Sequence, residues 1–129
     1  MIVSLHVATG AAVGLVSGSR MRALLLGPPA HLLGDWIPHQ DIASRRFEIT
    51  SGAACLALLA VTRGPFDRTT IGAAAACAPD LEHLFRSLRP GGRKLFHGRI
   101  GWHRSGGFSA NAQLVLAGAI VGSLVGRRS

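Results

Sequence analysis

The sequence predicts an all-α fold and, more specifically, a small helical membrane protein that forms one domain over residues 1–129. The composition is apolar, with 48% hydrophobic residues, 16% charged residues and a mean hydropathy of +0.34. Residues 1–19 and 105–126 contain no Asp, Glu, Lys or Arg. At about 1.5 Å of rise per residue, a helix over the second stretch is roughly 33 Å long, which is enough to cross a bilayer core.

The first two helices are expected over residues 2–18 and 23–37. The second should be broken, because Pro28 and Pro29 lack amide donors and their rings clash with the preceding turn, and Pro38 should end it. The remaining pieces are too short to span a bilayer. This favours a re-entrant second segment rather than a simple membrane span.

Three more helices are expected over residues 47–62, 69–88 and 108–126, which gives four to five helices in all. Pro79 predicts that the second of these kinks or restarts. The connection over 86–104 contains six Lys and Arg residues. If the broken segment dips into the membrane and returns, the positive-inside rule places this connection on the cytoplasmic side.

The formal net charge is +8, from 14 Lys and Arg against 6 Asp and Glu. A basic balance indicates an anionic partner, either nucleic acid, anionic lipid or a phosphate-bearing substrate. No recognised nucleic-acid motif is present, so no specific nucleic-acid binding is expected. For a chain this apolar we expect membrane lipid as the partner, whereas the oligomeric state is not predicted.

The densest group of potential metal ligands lies in the stretch AHLLGDWIPHQD. His31 and Asp35 are four residues apart and would share one helix face, as paired ligands do in helical zinc sites. His39 follows Pro38, where a turn could return it to the same centre, and Asp41 is close behind. The alternative is a buried His–Asp hydrogen-bonded pair, but four potential ligands in eleven residues favour a metal.

A second group lies at Asp80, Glu82 and His83, directly after Pro79. Asp80 and His83 are three residues apart and would face the same side of a helix. Pro in a first helical turn followed by acids is also typical of helix capping, since carboxylates there meet free amides and the positive end of the dipole. Capping and metal ligation both remain open for these acids.

The third group contains two histidines and two arginines in a glycine-rich stretch: His97, Arg99, His103 and Arg104. The arginines could bind a phosphate through paired donors or contact lipid headgroups. His6 stands alone in the apolar first segment. A lone histidine there is usually a satisfied core residue, so its assignment as a ligand depends on the other groups.

Some of these motifs carry a family resemblance. His6 in an apolar helix, Pro79-Asp80-Leu81-Glu82 after a small-residue helix, and the stretch from His97 to Ser105 together resemble the small bacterial inner-membrane proteins of the YdjM type, described as metal-dependent hydrolases. The chain departs from that pattern in having Glu82 for an Asp and Trp102 for a Thr. The resemblance implies metal-assisted hydrolysis and a place in the bacterial inner membrane.

The stretch AHLLGDWIPH is also similar to the His-x-x-x-Asp zinc motif of the phospholipase C and P1 nuclease family. That likeness covers about ten residues. It implies phosphoester hydrolysis by a zinc-containing helical enzyme.

These observations give a working hypothesis of a membrane-embedded hydrolase that uses a divalent metal ion, with zinc as first choice for a His/Asp ligand set. The substrate would be a lipid or phosphoester near the headgroup plane. The expected metal ligands are His6, His31, Asp35, His39, Asp80 and His103. Asp41 or Glu82 would act as base, Arg99 and Arg104 would bind phosphate, and His83 and His97 would orient the ligands.

Three alternatives remain open. The same groups could form a structural metal site or a buried His/Asp network in a non-catalytic membrane protein. They could also form a relay for protons or metal ions. The third alternative is a soluble helical protein with an unusually apolar core.

Overall fold

The computed structural model describes residues 1–96 and 104–126, and in these ranges the chain is all-helical, as predicted. Six α-helices are present there: α1 Val3–Val16, α2 Arg20–Trp36, α3 Arg45–Arg63, α4 Arg68–Cys77, α5 Leu81–Leu84 and α6 Ala110–Gly126. Short 3₁₀ turns cover Ala78–Asp80, Arg86–Leu88 and Pro90–Gly92. The prediction of an all-α fold is therefore confirmed.

Helix α1 is the centre of the bundle and packs against α2, α3, α4 and α6. Its buried face, which includes Ile2 just before the helix, forms the core together with Leu59, Ala73, Ala117 and Val121. Where α1 meets α4 the buried residues are mainly Ala and Gly, which bury little apolar surface each, so this contact depends on close helix approach.

The closest approach is between α1 and α4. A Cβ atom added at Gly72 would lie 2.4 Å from the carbonyl oxygen of Gly10 and 2.8 Å from the Cα of Gly14. Only glycine fits at such a distance, so these positions set the spacing between the two helices. That spacing in turn fixes the position of the turn that follows α4.

The predicted break in the second segment is wrong. Helix α2 runs without interruption from Arg20 to Trp36, with Pro28 and Pro29 inside it. A proline at position i removes the hydrogen bond to the carbonyl of residue i−4, here Leu24 and Leu25. Both of those residues are exposed, so the lost bonds lie on the outer side of the helix.

The interruption predicted at Pro79 is confirmed. Helix α4 ends at Cys77, Pro79 lies in the following 3₁₀ turn, and α5 begins at Leu81. The expected helices over 47–62 and 108–126 correspond to α3 and α6, with ends that differ by one or two residues.

Within residues 1–96 and 104–126, none of the helices has both the length and the apolar character required to cross a bilayer.

Candidate metal centre

The centre is built around the last two turns of α2. His31 and Asp35 are both buried, and His31 Nε2 lies 3.2 Å from Asp35 Oδ2. The spacing of four residues places both side chains on the face of α2 that packs against α1 and α4. The structure thus brings this pair together on one helix face, as the sequence predicts.

Helix α1 contributes His6, which is completely buried. Its Nε2 lies 3.0 Å from Asp35 Oδ1, and its ring stacks on that of His31 with centroids 3.7 Å apart. Gly34 faces the same region, since a Cβ there would overlap Met1 Cε and lie 3.3 Å from His6 Cε1. Burial lowers the pKa of His6 to about 3, and the imidazole is therefore neutral at neutral pH.

His6 also has an unsatisfied atom. Its Nδ1 is buried and has no hydrogen-bond partner among the residues that the structure describes. A buried ring nitrogen without a hydrogen-bond partner lowers the stability of the fold. The same nitrogen in a neutral imidazole is a good metal ligand, so a bound metal ion would satisfy it.

Asp80 completes the cluster from the turn after α4. Its Oδ1 lies 3.8 Å from His31 Nε2, and one ligand atom each from His6, His31 and Asp80 all lie within 4.8 Å of one another. With zinc–ligand bonds of about 2.0–2.2 Å, two atoms bound to one ion can lie up to about 4 Å apart. A small inward movement would therefore let all three atoms reach one ion.

The hydrogen bond of His31 determines which of its nitrogens can bind a metal. His31 Nδ1 lies 2.8 Å from the carbonyl oxygen of Ala76, and because a carbonyl oxygen only accepts, Nδ1 must donate. Nε2 then faces the carboxylates of Asp35 and Asp80, where either a proton on Nε2 or a metal ion can join the ring to them. The backbone bond is the usual orienting contact of a metal-bound histidine.

His39 lies next to this cluster in the same tautomer. It is buried, and its Nδ1 donates to the carbonyl oxygen of Ile37 at 2.7 Å. Its Nε2 faces Asp41 Oδ1 at 3.3 Å and also contacts the nitrogen of Met1. The Met1 nitrogen lies 2.5 Å from Asp35 Oδ1, so it stands between His39 and the Asp35 carboxylate.

The backbone of Arg104 also holds this region together. The amide of Arg104 donates to the carbonyl of Asp35 at 3.1 Å, and the amide of His39 donates to the carbonyl of Arg104 at 3.1 Å. The guanidinium of Arg104 lies 5.4 Å from the ring centroid of Trp36. Arg104 is therefore engaged with α2 through both its backbone and its side chain.

Glu82 and His83 have other contacts. Glu82 is buried, and its Oε2 accepts hydrogen bonds from the amides of Leu95 and Phe96 at 2.7 and 3.2 Å. His83 Nδ1 accepts from Lys94 Nζ at 3.0 Å. The Glu82 carboxylate thus binds the backbone of the segment that follows α5.

The remaining predicted site residues, His97, Arg99 and His103, lie outside the described residues.

A cavity of about 640 Å³ opens beside the cluster, between α1 and α3. Four carboxylates line it: Asp35, Asp41, Glu48 and Asp80. Sequence reasoning did not identify Glu48, which lies in the first turn of α3 and has no local motif around it. Burial, followed by the nearby charges of Asp41 and Asp80, raises the pKa of Glu48.

No family model, curated protein or solved structure matches this chain. The resemblance to the YdjM-type proteins stays a prediction. Of the positions that carry it, His6 and Asp80 lie in the cluster.

Proposed function

We propose that the chain is a metal-dependent hydrolase that holds a divalent ion, with zinc as first choice, between His6, His31 and Asp80, with Asp35 beside them. The observation that carries the proposal is the orientation of His31. Its Nδ1 is used by the Ala76 carbonyl, while its Nε2 faces two carboxylates. A nitrogen and carboxylate ligand set suits zinc, though other divalent ions accept it as well.

The neighbouring groups fit a catalytic centre. When bound, a zinc ion lowers the pKa of a coordinated water to about 7 and polarises the bond under attack. The cavity gives such a centre an open side, because it reaches Asp35 and Asp80. The proton released from the water needs an acceptor within this cavity.

Asp41 and Glu48 are the two candidates for that acceptor. Both line the cavity, whereas Glu82, the other acid proposed from the sequence, is not part of the cavity lining and accepts hydrogen bonds from the amides of Leu95 and Phe96. Glu48 is favoured because its raised pKa brings the carboxylate closer to the range in which a general base works at neutral pH.

The substrate that fits is a lipid or phosphoester. The cavity is lined mainly by apolar side chains, and Arg45 and Lys94 lie among its charged residues. Cations beside a divalent ion are a common arrangement for binding phosphoryl oxygens. Phosphate binding by Arg99 stays a prediction.

Contact with membrane lipid belongs to the same proposal. Helix α2 exposes a run of large apolar side chains, namely Met21, Leu24, Leu25, Leu26, Leu33 and Trp36. A large exposed apolar patch marks a surface for lipid or another protein. The bacterial inner membrane is the expected location, and recovery of untagged protein in the soluble fraction without detergent would contradict it.

A second function is favoured by one observation, the complete burial of His6 and His31. A closed site with protein ligands on all sides is structural rather than catalytic. In that case metal would be bound and would stabilise the fold, but no ester would be hydrolysed.

The test uses zinc-loaded protein and chromogenic p-nitrophenyl substrates, namely a phosphomonoester, a phosphodiester and a carboxylic ester. We expect metal-dependent hydrolysis of a phosphoester, and Glu48→Gln should lower kcat by about 10²–10⁴-fold without loss of metal. Asp67→Asn is the matched control, because Asp67 caps α4 away from the cavity and Asn caps equally well.

Metal binding without any metal-stimulated hydrolysis would favour the structural site. An equal loss of rate in Glu48→Gln and Asp67→Asn would remove Glu48 from the mechanism.

A further inference from the structure

The cavity between α1 and α3 has two chemically different parts. Its wall away from the metal centre is apolar and is formed by Val3 and Val7 of α1 and by Ile49, Ala53 and Leu56 of α3. None of the described residues that line the cavity is Phe, Trp or Tyr, and the ring of His83, which does line it, lies at the charged end beside Lys94. This wall offers no hydrogen bonds to sugar hydroxyls and no ring on which a base could stack, so it excludes nucleotides and glycosides in favour of an alkyl chain.

The other part of the cavity is charged. Asp35 and Asp80 lie at the metal centre. Two cationic side chains, Arg45 and Lys94, also line the cavity, and both contact His83. Arg45 Nη2 donates to the carbonyl oxygen of His83 at 2.8 Å, and Lys94 Nζ donates to the His83 ring at 3.0 Å. His83 thus anchors both cations at the cavity, where an anion that enters would meet them.

The charge balance shows when an anion can enter. Four carboxylates line the cavity against three cationic groups, namely Arg45, Lys94 and the terminal ammonium of Met1, which leaves a small excess of negative charge that disfavours phosphate. A divalent ion bound at the cluster would outweigh this excess. Anion binding should therefore depend on metal, whereas binding of an alkyl chain to the apolar wall should not.

We propose that the cavity binds a single-chain alkyl phosphoester, with the chain along the wall formed by α1 and α3 and the phosphate between the metal centre and the Arg45–Lys94 pair. This inference rests on the proposed metal-dependent hydrolase and names its substrate class. The volume of about 640 Å³ lies within the usual range for ligand sites, roughly 300–1,000 Å³.

The packing of α3 indicates where the chain site can be blocked. Gly52 sets the distance between α1 and α3, since a Cβ there would lie 2.4 Å from Val3 Cγ1. Ala53, the next residue, lines the cavity with a single methyl group. A tryptophan at position 53 would therefore fill the chain site. The adjacent Ala54 is also exposed but is not part of the cavity lining, which makes Ala54→Trp the matched control.

The experiment measures the binding of dodecyl phosphate, butyl phosphate and inorganic phosphate by calorimetry, below the micelle concentration. Zinc-loaded and chelator-treated full-length protein are compared. In the wild type, dodecyl phosphate should bind at least about 100-fold more tightly than butyl phosphate, because eight more methylenes are buried. Ala53→Trp should abolish this ratio and Ala54→Trp should keep it.

Two results overturn the inference. One is an equal affinity for the two alkyl phosphates in the wild type, which would indicate a site for free phosphate. The other is an equal effect of Ala53→Trp and Ala54→Trp. Failure of the proposed function has a different signature: phosphate affinity would not depend on zinc, while the chain-length ratio would persist in both forms of the protein.

Discussion

At the scale of single residues, the chemistry of the centre depends on which atoms of each histidine are used by the backbone. His31 and His39 both donate from Nδ1 to a backbone carbonyl, so both direct Nε2 towards carboxylates. The imidazole of His6 is kept neutral by burial, which lowers its pKa to about 3. Three imidazoles near Asp35 and Asp80 form an arrangement that a divalent ion would stabilise.

Glu48 gives a prediction on pH at this scale. Its pKa is raised in the folded protein by burial and by two neighbouring carboxylates, so its ionised form is less favourable there than in the unfolded chain. The resulting destabilisation is absent below the unfolded pKa of about 4.5 and develops as pH rises through the folded pKa. Glu48→Gln should therefore raise the unfolding free energy of metal-free protein at pH 7 and change it little at pH 4.

Urea unfolding of the wild type and Glu48→Gln at both pH values, in the presence of chelator, checks this. Asp67→Asn is a useful comparison. Burial acts to raise the pKa of Asp67, but hydrogen bonding from Thr69 and the charges of Arg63 and Arg68 outweigh it, so the pKa is lowered. That variant should lose rather than gain stability at pH 7. A stability gain in Glu48→Gln that is equal at pH 4 and pH 7 would contradict the assignment.

At the scale of helices, local sequence signals predicted some contacts and missed others for physical reasons. The pairing of His31 with Asp35 follows from helix periodicity, and the restart at Pro79 follows from the missing amide. Both signals act within a few residues. The stacking of His6 on His31 and the entry of Glu48 into the cavity depend on helix packing, which no local pattern encodes.

Helix α2 shows the opposite error, in which a local signal predicted a helix break that the structure does not have. Two consecutive prolines strongly favour a helix end, but the helix continues because the affected carbonyls belong to exposed residues and the buried face of α2 is held by α1 and α4. Tertiary contacts here outweigh a local preference of about 3 kcal/mol per proline.

Helix packing also gives a stability prediction. Gly72→Ala should destabilise the protein by about 1–3 kcal/mol, because the added methyl would overlap the backbone of Gly10. Gly118→Ala on α6 is the control, since nothing lies within 4 Å of a Cβ at that position. That change should raise stability by up to about 1 kcal/mol through helix propensity.

Denaturant unfolding of both variants provides the measurement. Equal stability of Gly72→Ala and Gly118→Ala would contradict the close approach of α1 and α4 at Gly72.

At the scale of the whole molecule, the centre connects distant parts of the chain. His6 comes from α1, His31 and Asp35 from α2, and Asp80 from the turn after α4. A metal ion bound by these residues would cross-link α1, α2 and the turn after α4. Metal binding and folding should consequently be coupled.

The central claim is that the cluster of His6, His31, Asp35 and Asp80 binds a metal ion. The direct test is the zinc content of purified protein after zinc loading and removal of free metal, measured by elemental mass spectrometry. We expect about one equivalent of zinc in the wild type, as for a site with several protein ligands. Less than about a tenth of an equivalent should remain in His31→Ala and in the more conservative His31→Gln, whose helical content is checked by circular dichroism. His83→Ala, which changes a histidine bound to Lys94, should keep its zinc. A metal-free wild type, or equal zinc in the His31 and His83 variants, would contradict the metal centre.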